Sequence, residues 1–380
     1  MGDAEADITD ARVVAAHRAV RELFARVVDA VPAGGWSGPT ACADWTVADV
    51  VAHVTWGLDV ATLCVEGSEI EDRSAGPGRP HPAEYLAGTD PAEAWAAART
   101  RADAVLTEEA AALPAPAFQR RALPDATLAV FLRTMVGDTL CHAWDVGSRT
   151  GTAVTPDAET LAVAWAAVRE GVPRRAPYFG EEVPLAGDGA AAARTDTVDE
   201  FSRYLAWLGR TPLPPGVTLR PERPADEAAV HDVVAAAFPT EDEARLVDAL
   251  REDAAWIDGL SWVACDAGRV VGHALLTRCH VDDAPALCLA PCAVTPELQG
   301  TGVGTAVIRA CLDAARATGE AVVIVLGHPG YYPRFGFRPA ADAGIRLSVD
   351  VPDGALQVLA LAEGAALPSG TVRYAAPFGL

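Results

Sequence analysis

The stretch from Cys292 to Ala315, CAVTPELQGTGVGTAVIRACLDAA, reads as an apolar strand, a short turn and a long helix. Glycines at 300, 302 and 304 strip side chains from the turn, so a ligand can come close to the backbone N–H groups. The start of a helix has free N–H groups and partial positive charge, which makes such a turn an anion site. A phosphorylated ligand is expected, although several unrelated phosphate-binding loops share these properties.

The rest of the 380-residue chain is long enough for two domains. With 51% hydrophobic and 22% charged residues it has material for two packed cores. A formal charge of −22 disfavours a nucleic-acid groove or an anionic membrane surface as partner, but backbone amides can still hold a phosphate. Every basic residue is arginine; there is no lysine. The acidic start, MGDAEADITD, has neither a signal-peptide nor a transit-peptide pattern, and position 6 breaks the myristoylation pattern at Gly2. No run is expected to span a bilayer, so the expected setting is cytoplasmic. Eight cysteines lie scattered without CxxC spacing and read as small apolar residues.

The two halves differ in pattern. Helical spacing recurs in ARVVAAHRAVRELFARVVDAV, TVADVVAHVTWGLDVATLCV, DPAEAWAAARTRADAVLTEEAAAL, TLAVFLRTMVGDTLCHAWDVGSRTG, TPDAETLAVAWAAVREG and TVDEFSRYLAWLGR. Thr46 with Asp49 signals a helix start, and a Gly/Pro-rich loop, 67–88, separates the second helix from the third. A helical bundle over 1–210 is expected. The proline-rich stretch 211–217 is the expected linker. Over 218–380, strand patterns such as RVVGHALLTRCHV and ALCLAPCAVT alternate with helical ones, which predicts an α/β or α+β domain on a central, mostly antiparallel sheet.

The second half resembles the GNAT acyltransferase superfamily. The element order, APCAVTPELQGTGVGTAVI and GHPGYYPRFGF carry the resemblance, which covers Gly216 to about Phe378. It implies a pyrophosphate of acetyl-CoA held by the loop that Gln299, Gly302 and Gly304 mark, with Gly300, Thr301, Val303 and Thr305 between and after them. It also implies that Cys292, Ala293 and Val294 pair with the pantetheine arm. Tyr332 stands where the family's thiolate-protonating tyrosine stands, and the acceptor is a small-molecule amine. Attack by the amine itself needs no covalent enzyme intermediate, so Cys292 reads as a strand residue rather than a nucleophile. His280, Asp282, Asp283 and Glu243 are all candidates for the general base, and sequence does not rank them.

The first half resembles the DinB-like metal-binding bundles related to mycothiol-dependent maleylpyruvate isomerase. WSGPTACADWTVADVVAHV, DTLCHAWDVGSRTG and FSRYLAWLGRTP carry that resemblance, from about residue 10 to Pro212. It implies a divalent metal on His53, Asp138 and His142. Asp138 and His142 are one turn apart on a helix face, and two imidazoles with a carboxylate suit zinc. Asp138 stands where isomerase members carry Glu. Cys141 points off that face, and Trp36, Trp45, Trp56 and Trp144 are expected in the core and pocket wall.

The whole reads as an α+β chain, a DinB-like bundle followed by a GNAT fold, that acts as an acyl-CoA-dependent N-acetyltransferase. Its first half would bind metal and use or recognise a thiol such as mycothiol. The alternative is a metal- and thiol-dependent transferase or isomerase in which the second half is a CoA-binding regulatory module. The oligomeric state is not legible.

Overall fold

The computed structural model describes residues 8–42, 45–170, 199–214, 216–362 and 365–379. The chain divides into two compact units, Met1–Pro212 and Leu213–Leu380. That division falls inside the proline-rich stretch, whose Pro215, like residues 1–7 of the acidic start, lies outside the described residues.

The described helices of the first unit are α1 (Asp10–Asp29), α2 (Val47–Val65), α3 (Pro91–Val105), α4 (Glu108–Ala111), α5 (Ala117–Arg120), α6 (Leu128–Thr150), α7 (Ala158–Glu170) and α8 (Glu200–Trp207). Thr46 starts α2 by a reciprocal cap. Its Oγ1 accepts from Asp49 N (3.2 Å), and Asp49 Oδ2 accepts from Thr46 N (3.0 Å). Gly151, at φ 87°, ends α6 in the left-handed conformation that glycine adopts without strain. The sequence predicts one helix from Asp90 to Leu113, but the structure breaks it. Leu106 leaves helical geometry, and Thr107 Oγ1 accepts from Ala110 N to begin α4.

Helix α6 packs against α1, α2 and α7. Helix α2 is buried almost all round, which a helix inside a bundle requires. Against expectation, α2 is long and apolar enough to cross a membrane by length and composition alone; 78% of its most apolar window is buried within the unit. Helix α8 docks where α6 carries Gly137. The Tyr204 hydroxyl donates to Gly137 O (2.8 Å), and a methyl on Gly137 would lie 3.1 Å from the Tyr204 hydroxyl oxygen. This contact fixes α6 one residue before Asp138.

The second unit runs β1 (Val217–Pro221), α9 (Glu227–Ala237), α10 (Asp242–Arg251), β2 (Ser261–Asp266), β3 (Arg269–Val281), β4 (Ala284–Val294), α11 (Val303–Ala317), β5 (Val322–Leu326), β6 (Arg338–Pro339), β7 (Ile345–Arg346), β8 (Leu356–Ala360) and β9 (Gly370–Arg373). The sheet order is β1-β2-β3-β4-β5-β8-β6, with β9 pairing β3 and β7. Neighbours are antiparallel except β4–β5 and β7–β9. Alternation along β2 places helices on both faces. Val263 and Cys265 pack with α9 and α10, while the intervening Ala264 meets Gly272, where a methyl would lie 3.1 Å from Val303 of α11.

A buried polar network ties β1, β2 and β3 to α10. Glu222 accepts from Arg251 Nε (3.0 Å) and Nη2 (2.7 Å) and from the Ser261 hydroxyl, whose oxygen lies 2.9 Å from His273 Nε2. Burial opposes ionisation of Glu222, but His273, Ser261 and Arg251 hold its carboxyl below the ordinary range. Glu222→Ala would leave the partly buried Arg251 with Asp248 alone and take away the acceptor of the Ser261 hydroxyl, so a loss of about 1–3 kcal/mol is expected. Chemical denaturation of the full chain, followed through the unfolding of this unit, checks it; a loss near zero would show that the network is incidental.

Candidate functional site

The sheet opens where its two central parallel strands part. Strands β4 and β5 pair only at Leu287–Val323 and Cys288–Ile324, after which β4 runs on to Val294 without β5 beside it. On its other edge β4 spends Ala290 and Pro291 against the single Leu275 of β3, a bulge that bends the strand there. The two chain segments leaving the carboxyl ends of this divergence are the glycine turn and the 327–337 segment, the place where open sheets of this kind bind ligands.

The glycine turn is built for open amides. Gly300 (φ 78°) and Gly302 (φ 95°) take the left-handed conformation, and nothing lies within 4 Å of a methyl added to either. No side chain caps α11, and Ala306 N to Gly302 O (3.0 Å) is its first turn-spanning hydrogen bond. The amides of Val303, Gly304 and Thr305 therefore lie ahead of it. Gln299 braces the turn through Nε2, which donates to Val294 O (3.0 Å), and Thr301 Oγ1 donates to Leu298 O (2.6 Å). Gly304 serves packing: a methyl there would lie 3.3 Å from Val294 and 3.4 Å from the Tyr331 hydroxyl. The glycine turn and the tyrosine pair are thus in contact.

Tyr332 sits in an aromatic cluster with Tyr331, Phe335 and Phe337. Burial, then the neighbouring Cys292, push its hydroxyl pKa far up, so the phenol is protonated at neutral pH and is a weaker acid than a free tyrosine. Burial also pushes the Cys292 thiol up to about 12, so it is a poor nucleophile at neutral pH. Among the base candidates, Asp282 accepts from Thr371 N (2.9 Å) in the β3–β4 turn, and Asp283 pairs with Arg373 (3.2 Å) on the surface. His280 pairs with Arg373 across the strands, and Glu243 keeps a buried Oε2 without a hydrogen-bond partner.

The first unit gathers His53 from α2 with Asp138 and His142 from α6. Their donor atoms lie within 4.8 Å of one another. His53 Nε2 is 3.3 Å from Asp138 Oδ2, and His142 Nε2 is 3.7 Å from Asp138 Oδ1. Each imidazole commits its other nitrogen elsewhere. His53 Nδ1 donates to Ala75 O (2.7 Å), and His142 Nδ1 donates to Asp145 Oδ2 (3.0 Å). Asp145 is fully buried and gripped by Arg210 through Nε (3.0 Å) and Nη2 (2.7 Å). Burial works against its charge, but Arg210 and His142 hold its carboxyl well below the usual range.

This arrangement fits a cation. With both Nδ1 atoms acting as donors, two neutral imidazoles would aim lone pairs at one carboxylate; a proton on His53 Nε2, 3.4 Å from Asp138 Oδ1, or a metal ion among the three side chains relieves that repulsion. Asp138 Oδ2 is, moreover, a buried atom with no hydrogen-bond partner. Burial lowers the His53 pKa, but the Asp138 charge overrides it and the net shift is upward.

Sequence reading missed the supports. Asp145, three residues after His142 on the same helix, is the one a spacing argument could have found. Cys42 also approaches His142 and Asp145 within 4.8 Å. Cys141 is buried, with Sγ 3.9 Å from Asp145 Oδ2. Trp45 and Trp56 flank His53, with ring centroids at 5.0 and 6.3 Å, while Trp36 and Trp144 pack against the core. The 67–88 loop carries the acceptors: Asp72 O, Ala75 O and Arg79 O bind Trp56, His53 and Trp45.

Comparison with known proteins gives a match for each unit. The mycothiol maleylpyruvate isomerase N-terminal domain matches residues 17–147, and the acetyltransferase (GNAT) family matches residues 228–337. The uncharacterized N-acetyltransferase YjhQ of Escherichia coli (strain K12) is 41% identical over 134 residues, 34% of this chain and 74% of that protein. An uncharacterized protein of Mycobacterium tuberculosis (strain ATCC 25618 / H37Rv) is 29% identical over 199 residues, 52% of this chain and 96% of that one. The crystal structure of the E. coli GNAT family N-acetyltransferase YhbS in complex with CoA is 30% identical, with a TM-score of 0.42, and the match covers 45% of this chain and 96% of that one.

One glycine outside the turn has a steric role that spacing could not reveal. A methyl on Gly327 would lie 2.3 Å from Tyr332 Cε2. Gly327→Ala is therefore expected to push the Tyr332 ring aside and cost about 1–3 kcal/mol. Thermal unfolding together with the Tyr332 ring resonances tests this, and an unmoved ring in a fully stable variant would contradict it.

Proposed function

The chain belongs to the acetyltransferase (GNAT) family and is an N-acetyltransferase, and we propose that its second unit moves the acetyl group of acetyl-CoA onto the nitrogen of a small-molecule amine. The observation that carries this reading is the contact between a turn of open amides and a segment bearing a protonated phenol, both at one strand divergence. Acetyl-CoA supplies the acyl group as a thioester. The amides from Gly300 to Thr305 hold its pyrophosphate, with Gln299 keeping the turn in shape, and the backbone of Cys292, Ala293 and Val294 pairs with its pantetheine arm. As the amine nitrogen bonds to the acyl carbon and the C–S bond breaks, the Tyr332 hydroxyl gives its proton to the departing sulfur. The nitrogen sheds a proton to solvent, and Tyr332 is reprotonated.

The first unit, in this reading, is a metal-binding domain. His53, Asp138 and His142 hold one divalent ion, zinc by their chemistry. A bound ion would favour the ionised form of a thiol at its open position. The match to the mycothiol maleylpyruvate isomerase N-terminal domain supports mycothiol as that thiol. Asp145 and Ala75 orient the imidazoles, and Arg210 keeps Asp145 charged.

CoA release across a panel of amines, with and without chelator, tests the reading as a whole. Tyr332→Phe is expected to lower kcat on the order of 10²–10⁴-fold with acetyl-CoA affinity nearly unchanged. Gly302→Glu should abolish acetyl-CoA binding, because its side chain would enter the open turn from a strained backbone. An unaltered kcat in the first variant, or full affinity in the second, would refute these assignments.

Metal content provides a separate test. Untagged protein is expected to hold one ion per chain, lost in His53→Ala and in His142→Ala while acetyl-CoA binding persists. Asp145→Asn should weaken metal binding by about 10–100-fold. Stoichiometric metal in the double histidine variant would show that the ion sits elsewhere.

A further inference from the structure

The first unit contains a cavity of about 360 Å³ beside the histidine cluster, and it is used by nothing described so far. Its apolar wall includes Trp56, Val60, Ile70 and Phe118, and Arg73 and Arg120 also line it. The volume falls within the range of small-molecule sites. The Trp56 ring neighbours both Phe118, at 6.4 Å between centroids, and His53, at 6.3 Å. One indole therefore joins the cavity to the cluster.

Charge indicates what the cavity takes. The chain has a formal charge of −22, and other arginines, Arg21, Arg101, Arg210 and Arg251 among them, find carboxylates. Arg73 and Arg120 have no carboxylate partner among the described residues. The Arg73 guanidinium lies 5.2 Å from the Phe118 ring centroid, and Arg120 spends only Nε, on Ala115 O (2.8 Å). Glu69, at the exposed edge, is the acid of the lining, so the cations outnumber it two to one. Two guanidinium groups with free N–H forks beside flat aromatic walls match a planar apolar molecule ending in a carboxylate.

The geometry points to a binding site for an aryl carboxylate, with its ring against Trp56 and Phe118 and its anionic end on Arg73 and Arg120. This site is independent of acyl transfer in the second unit. Trp56 makes it a neighbour of the histidine cluster without placing the ligand on it.

Calorimetric titration of the full chain with 2-naphthoate and with uncharged 2-naphthalenemethanol tests the site. The carboxylate is expected to bind at least about tenfold more tightly than the alcohol, as loss of one charge-assisted hydrogen bond implies. Arg73→Gln should remove most of that difference. Val60→Trp should fill the cavity and abolish binding of both probes, with acetyl-CoA binding to the same sample as a check on folding. Equal affinity of the two probes for the unaltered chain would overturn the proposal. So would naphthoate binding that survives Val60→Trp, or no naphthoate binding at millimolar concentration.

Discussion

Backbone amides left without a partner inside a sheet must find one, and the second unit concentrates them where β4 outruns β5. Everything at that end of the sheet follows from this constraint. The bulge at Ala290–Pro291 bends β4, Gln299 ties the turn back to Val294, and α11 begins without a cap. A fold that closed the divergence would satisfy its own hydrogen bonds and have nothing to offer a ligand. Keeping it open leaves donors that a bound molecule can satisfy, and the glycines make them reachable.

The first unit meets the opposite difficulty, charge where there is little water. Asp145 is fully buried, so its charge is tolerable only because Arg210 and His142 share it. The consequence passes along the chain of contacts. Arg210 holds Asp145 ionised, Asp145 fixes His142, and the far nitrogen of His142 faces Asp138. The long loop after α2 does for His53 what Asp145 does for His142, with a backbone carbonyl in place of a carboxylate. In both units a polar backbone or buried charge is held unsatisfied on one side by bracing on the other.

Much of this was legible in the residues. Apolar periodicity marked most helices and strands, because burial on one face dictates spacing wherever an element packs. The Thr46–Asp49 cap and the glycine at the end of α6 were readable as local chemistry. The break at Thr107 was not, because a threonine inside a helical pattern is ordinary until its hydroxyl is seen to start a new turn. Helix α2 meets the length and composition of a membrane span although it is buried in the bundle, since a helix inside a bundle and a helix inside a bilayer share a composition.

By itself the sequence determined the two kinds of fold, the open turn at Gly300–Gly304 and the pairing of Asp138 with His142 on one helix face. These are properties of neighbours along the chain, and local geometry transmits them directly. Only the tertiary structure decided that Tyr331 touches Gly304, that Gly327 makes room for Tyr332, and that Ala75, Asp145 and Arg210 orient the two histidines. It alone brought Arg73 and Arg120 to the same cavity, 47 positions apart in the sequence. Those contacts join residues far apart in the chain, and a backbone carbonyl carries no side-chain signature that could announce its role.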